Sequence, residues 1–140
     1  MSNILFFLTP KAMCAHLMAD DTVRQALIRM ETARYAALPI IDRNGEYCGT
    51  LTEGDLLWAL KNECQLDIRK AEHIRIMDIA RRRDNTPVKV NATMQDLIDR
   101  ASRQNFIPVV DDKNTFIGIV TRRSIFKYCQ EKLFSKAETA

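Results

Sequence analysis

Apolar residues at Val23, Ala26, Leu27 and Met30 recur at the i, i+3, i+4, i+7 spacing of an amphipathic helix. Thr22 and Gln25 stand at capping-box spacing at its head. The apolar run Ala37 to Ile41 then reads as a strand, and a second strand, Tyr47 to Leu51, follows the turn residues Arg43-Asn44-Gly45-Glu46. Thr52 leads into a helical pattern over Leu56, Leu57 and Leu60. A short strand is expected ahead of the first helix, over Ala15–Met18. The order of elements is β-α-β-β-α.

That order returns. At an offset of 69 residues, Pro39-Ile40-Ile41-Asp42 falls on Pro108-Val109-Val110-Asp111. In the same register Tyr47-Cys48-Gly49-Thr50-Leu51-Thr52 falls on Phe116-Ile117-Gly118-Ile119-Val120-Thr121, and Leu56-Leu57 meets Ile125-Phe126. Upstream, an offset of 71 superposes Thr22-Val23 on Thr93-Met94, ahead of Leu97, Ile98 and Ala101. A short leading strand is expected at Pro87–Val90, and Asp112-Lys113-Asn114 supplies the second hairpin turn. The chain is a duplication. One copy of roughly 50 residues buries too little surface to stand alone. The expectation is therefore a mixed α/β (α+β) fold in which two copies pack sheet to sheet with helices outside. The boundaries are an N-terminal arm or short helix over 1–10, copies over 11–61 and 78–130, and a polar connection over 62–77. Ile74, Ile76, Met77 and Ile79 are expected to open a short helix before the second copy, and 131–140 is a tail.

The chain has 140 residues, 46% hydrophobic and 28% charged, the balance of a folded domain rather than a disordered segment. Twenty-one Lys+Arg against 18 Asp+Glu leaves +3, too small an excess to argue for nucleic acid. Cys14, Cys48, Cys64 and Cys129 form no C-x-x-C pair, and with only His16 and His73 they argue against a zinc site and for a reducing, cytoplasmic setting. The run Ile4–Leu8 is far short of the ~20 residues needed for a membrane span and lacks the flanks of a signal peptide. No nucleophile–base pair, catalytic carboxylate pair or P-loop is present, so the chain reads as non-enzymatic with no cofactor required.

Two turns into helices carry polar chemistry. Thr52 and Asp55 fit a capping box, in which Asp55 reaches back to a free backbone N–H. Thr121-Arg122-Arg123 places paired arginines at a helix N-terminus, where they oppose the macrodipole but suit a phosphate. The run Arg81-Arg82-Arg83 reads as a solvated face, His16 as a packing or ligand-contacting residue, and Trp58 and Phe126 as core or dimer surface.

Leu38-Pro39-Ile40-Ile41-Asp42 followed by Gly49-Thr50-Leu51-Thr52-Glu53-Gly54-Asp55 resembles a cystathionine-β-synthase (CBS) domain. Ile107-Pro108-Val109-Val110-Asp111 with Gly118-Ile119-Val120-Thr121-Arg122-Arg123-Ser124 resembles the second member of a CBS pair, or Bateman module. The resemblance spans roughly residues 10 to 130. It implies two motifs related by pseudo-two-fold symmetry, adenine-nucleotide ligands (AMP, ADP, ATP or cyclic di-AMP) in clefts between them, homodimerisation and a separate effector protein.

Two constellations follow from that resemblance. In one, Asp55 receives the ribose hydroxyls and Thr52 the ribose or first phosphate, with adenine against Thr86, Val88, Asn105 and Phe106. In the other, Ser124 stands where the ribose-binding aspartate is expected, and Thr121, Arg122 and Arg123 face Lys11, Ala15, His16, Tyr35, Ala36 and Ala37. The second set is similar to that of stand-alone CBS-pair proteins of Gram-positive bacteria that bind cyclic di-AMP. The competing expectation is a structural protein-interaction module with vestigial clefts, for which Ser124 in place of Asp is the main support.

Overall fold

The computed structural model describes residues 3–139, with side chains through Ser135; Met1, Ser2 and Ala140 lie outside the described residues. In chain order the elements are a 3-10 helix Ile4–Phe7, β1 (Leu8–Pro10), a 3-10 helix Lys11–Met13, β2 (Leu17–Met18), α1 (Val23–Ala33), β3 (Ala37–Ile41), β4 (Tyr47–Thr52) and α2 (Glu53–Asn62). There follow α3 (Ile68–Ala71), a 3-10 helix Ile76–Asp78, β5 (Val88–Lys89), α4 (Met94–Ala101), β6 (Phe106–Val110), β7 (Phe116–Thr121) and α5 (Arg122–Thr139). They form two compact units, Ala15–Asp84 and residues 85 onward together with the N-terminal residues through Cys14.

In the first-repeat unit the sheet order is β2-β3-β4, with β2 parallel and β4 antiparallel to β3. Pro39 lacks a backbone N–H yet lies in the central strand. It is tolerated because β2 is only two residues long and pairs with Ile40 and Ile41, beyond the proline. The second-repeat unit repeats this geometry: β5 pairs with Val109 and Val110, beyond Pro108. Both hairpins carry a register shift at the same position, between Ile40 and Ile41 and between Val109 and Val110. Both turns are tied by an aspartate, Asp42 accepting from the Asn44 and Glu46 amides and Asp111 from those of Lys113 and Thr115. Backbone amides at Asp111 hold its carboxyl below the ordinary carboxylate range. Gly45 (φ 83°) and Asn114 (φ 66°) take the left-handed residue of these turns, which both types tolerate.

The expected capping boxes are formed at Thr22/Gln25 and Thr52/Asp55, and a third stands at Thr93/Asp96. Each unit has a buried cluster to which residues outside the repeat contribute. In the first, Leu17, Val23, Leu38, Ile40, Leu51 and Leu56 are joined by Cys64, Ala71 and Ile76 of the connection and by Ile79 just beyond it. In the second, Leu97, Ile107, Val109, Val120 and Ile125 are joined by Ile4, with Phe7 and Leu8 against them. These additions enlarge what a copy of roughly 50 residues could bury alone.

The N-terminal arm is therefore not a loose appendage. Leu8, Thr9 and Pro10 pair antiparallel with Val120, Ile119 and Gly118, giving the second-repeat unit a four-stranded sheet, β1-β7-β6-β5. The connection holds two helical turns, α3 and Ile76–Asp78, and binds the head of α1 through Val23 N–H to the Ile74 carbonyl (2.8 Å) and Ile76 N–H to the Asp21 carbonyl (3.0 Å). The segment set apart as a tail continues α5 as far as Thr139.

Candidate functional site

Candidate residues gather at one end of each sheet, because β2 and β3 begin there and β4 ends there. In the first-repeat unit this end holds Ala15 and His16 ahead of β2, Tyr35, Ala36 and Ala37 at the head of β3, and Thr52 and Asp55 at the start of α2. Ala37 pairs with Thr52, and the Glu53 amide donates to the Ala36 carbonyl at 2.9 Å. Tyr35 is 61% exposed, leaving its ring open, whereas Ala37 is buried. The His16 carbonyl accepts from Arg29 Nη1 at 2.9 Å, which ties this stretch to α1.

Asp55 is 4% exposed. Its Oδ2 accepts from the Thr52 amide (2.9 Å), its own amide donates to Thr52 Oγ1 (3.0 Å), and its Oδ1 accepts from the Arg82 amide (2.9 Å). The capping reading of Thr52 and Asp55 is thus realised, and the carboxylate is further bonded by a distant segment. Nearby, Asp84 Oδ1 accepts from the Thr50 amide at 2.9 Å and from Arg81 Nε at 3.2 Å. Arg81 is consequently tied down, its side chain 14% exposed, and only Arg82 and Arg83 keep the expected solvated character. Tyr47 Oη and Thr50 Oγ1 lie 2.6 Å apart, and burial pushes the Tyr47 phenol well up and the Cys48 thiol up to about 11.

The second-repeat unit collects Thr86 and Val88 at β5, Asn105 and Phe106 at β6, and Thr121, Arg122, Arg123 and Ser124 where β7 meets α5. Lys11, in the 3-10 helix after β1, belongs to this unit and not to the first repeat. Gln104, which sequence reasoning passed over, is 6% exposed and clamps Thr86: its Oε1 accepts from the Thr86 amide (2.9 Å), and its Nε2 donates to the Thr86 and Phe106 carbonyls (3.2 Å each). Its position between a helix end and an apolar strand is the signal that could have flagged it. Val88 and Phe106 are buried, so only Thr86 and Asn105 of that set are exposed.

The two arginines part company. Arg122 Nε donates to the Ala101 and Gln104 carbonyls (2.8 and 3.1 Å), a cation at the negative end of α4. Arg122 therefore carries a structural bond that the phosphate reading did not anticipate. Arg123 is exposed, with no hydrogen-bond or ion-pair partner among the described residues. Beside it Ser124 Oγ lies 2.8 Å from Thr121 Oγ1, and the Ser124 amide donates to that oxygen at 3.1 Å. Hydroxyls and a free cation thus replace the carboxylate found in the first repeat.

The model of the CBS domain family matches residues 14–62 and 76–131. The chain belongs to the CBS-domain family. This CBS pair is 30% identical over 108 residues, 77% of its length, to the inosine-5′-monophosphate dehydrogenase of Methanocaldococcus jannaschii, of which it spans only 20%. In fold it is similar to CbpB solved in complex with c-di-AMP (TM-score 0.84, 21% identity, 99% of this chain and 91% of that chain). It is also similar to CBSX2 in complex with AMP (TM-score 0.73, 24% identity, 94% and 98%). A groove of about 760 Å³ in the first-repeat unit, lined by Leu27, Ile28, Leu57, Leu60 and Ile68, contains none of the candidate site residues. No helix among the described residues is long and apolar enough to cross a membrane.

Proposed function

We propose that this CBS pair is a non-enzymatic regulatory module that binds an adenine nucleotide, with cyclic di-AMP favoured over the mononucleotides. The observation that carries this reading is the exposed guanidinium of Arg123, unpartnered among the described residues, beside Thr121 and beside Ser124, which stands where a carboxylate would repel phosphate. Lys11 and Arg122 are further phosphate-seeking cations of the same unit, and the open ring of Tyr35, with the small side chain of Ala36 beside it, is suited to an adenine. The c-di-AMP complex of CbpB, similar in fold, supports the choice of ligand. A nucleotide that binds one conformation better than another shifts the population by its differential affinity and so alters what an effector protein meets.

The second reading, an interaction module with vestigial clefts, draws on the buried Asp55, both of whose oxygens already accept a backbone amide. Homodimerisation is part of the proposal under either reading. Ile28, Leu57 and Ile68 of the helical groove are each more than half exposed, and Arg24, Glu31, Arg34 and Glu53 give that groove both signs of charge, as a self-complementary surface requires. No disulfide joins the cysteines among the described residues, which suits a reducing, cytoplasmic setting. Thermal melting with AMP, ATP, S-adenosylmethionine and cyclic di-AMP separates the readings. A ligand at about 100 times its Kd adds about 2.7 kcal/mol, and no shift with any of the four refutes the sensor.

A further inference from the structure

Gly49 and Gly118 occupy equivalent positions of the two repeats, and each lets another part of the chain approach the outer edge of its sheet. A Cβ on Gly118 would meet the Thr9 carbonyl of β1 at 2.2 Å, and one on Gly49 would meet Asp84 Oδ1 at 2.8 Å. Strand β7 is therefore covered by a strand, and β4 by the segment Arg81–Asp84, which is pinned at both ends. Asp84 accepts the Thr50 amide and Arg81, and Arg81 Nη1 reaches the Ile76 carbonyl at 3.5 Å. Pinned so, the segment presents the Arg82 amide to Asp55 Oδ1. Among the described residues Asp55 has no basic side chain as a hydrogen-bond partner; each of its oxygens accepts a backbone amide.

We propose that Arg81–Asp84 is a specificity strap that denies Asp55 to nucleotides with a free vicinal ribose diol. A diol delivers two O–H donors side by side and needs both carboxylate oxygens; here each already holds an amide on one lone pair, and with the residue 4% exposed the strap stands between the remaining lone pairs and a ribose. AMP, ADP and ATP carry that diol. A cyclic 3′,5′-dinucleotide does not, since its 3′ oxygen is esterified, so its recognition by Arg123 is untouched. The inference rests on the nucleotide-binding reading above, and refines it to a ligand class.

The test titrates AMP and cyclic di-AMP calorimetrically into the full chain, into Asp55→Ala and into three further variants. Arg82→Pro deletes the N–H that Asp55 accepts, Asp84→Ala removes the anchor, and Asp84→Ala/Asp55→Ala reports whether any gain passes through Asp55. Wild type is expected to show no Asp55-dependent AMP binding up to about 1 mM. At least one strap variant is expected to gain AMP affinity about ten-fold or more, and the double variant to lose that gain. Hydrogen exchange at the Thr50 amide, protected in wild type and released by Asp84→Ala, shows that the strap has opened in folded protein. Wild-type AMP binding that Asp55→Ala weakens ten-fold overturns the strap, as does an absence of gain in both strap variants. Cyclic di-AMP binding by wild type is read separately: its loss refutes the nucleotide reading, whereas an AMP gain in the opened variants upholds the strap alone.

Discussion

Replacing Gly118 by alanine should undock the N-terminal arm. The new methyl would lie 2.2 Å from the Thr9 carbonyl oxygen and 3.1 Å from Pro10 Cα, both backbone atoms that cannot swing aside. Strand β1 would part from β7 across Leu8↔Val120, Thr9↔Ile119 and Pro10↔Gly118, exposing Ile4, now 1% exposed. Uncovering an isoleucine costs about 1.5–3 kcal/mol, and each lost hydrogen bond about 0.5–1.5 kcal/mol. Chain entropy regained by the freed arm offsets part of this. A net loss of about 2–3 kcal/mol lowers Tm by roughly 6–12 °C at this size. Gly49→Ala is the matched control, because its methyl meets side-chain atoms rather than backbone: Asp84 Oδ1 at 2.8 Å and Arg81 Nη2 at 3.2 Å. Its cost should stay below about 1.5 kcal/mol. Circular dichroism melts measure both, and trypsin cleavage after half-buried Lys11 reports the arm directly. A Gly118→Ala protein that melts with wild type and leaves Lys11 uncut would refute the role given to β1.

Gln104→Ala should strip the Thr86 amide and carbonyl of a buried partner and cost about 1–3 kcal/mol in urea denaturation; a neutral result contradicts the clamp. Asp96 and Asp111 are held below the ordinary carboxylate range chiefly by backbone amides, at Thr93 and Thr115. Their folded values are depressed, so their contribution is present above the ordinary range near pH 4 and is lost as pH falls through the lower folded values. Melts should be flat with respect to these groups from pH 7 to 5 and decline below about pH 4, and Asp96→Asn/Asp111→Asn should blunt that acid decline. A double variant that declines below pH 4 as steeply as wild type would contradict the assignment.

What was legible in the chain was local or repeated. The capping boxes are i, i+3 patterns, the hairpins are announced by Asp42 and Asp111 with their turn residues, and the duplication projects each element onto its copy. What escaped was long-range. Nothing in Leu8-Thr9-Pro10 names Val120 as a neighbour, because pairing across more than a hundred residues leaves no periodicity in either segment. Arg122 looked like half of a phosphate pair until the end of α4 supplied carbonyls for it. Asp55 was rightly placed at the head of a helix, but the Arg82 amide that fills its second oxygen comes from a stretch that reads as a solvated basic run. The candidate residues were found by type and by resemblance; their engagement required the fold.

The central claim is that Arg123, left free among the described residues, receives the phosphate of a diol-free adenine dinucleotide. Isothermal titration of cyclic di-AMP into wild type and Arg123→Met tests it most directly. Wild type is expected to bind, and Arg123→Met to bind about 10- to 100-fold more weakly, the worth of one charge-assisted hydrogen bond. Absence of binding by wild type, or equal affinity in Arg123→Met, would contradict it.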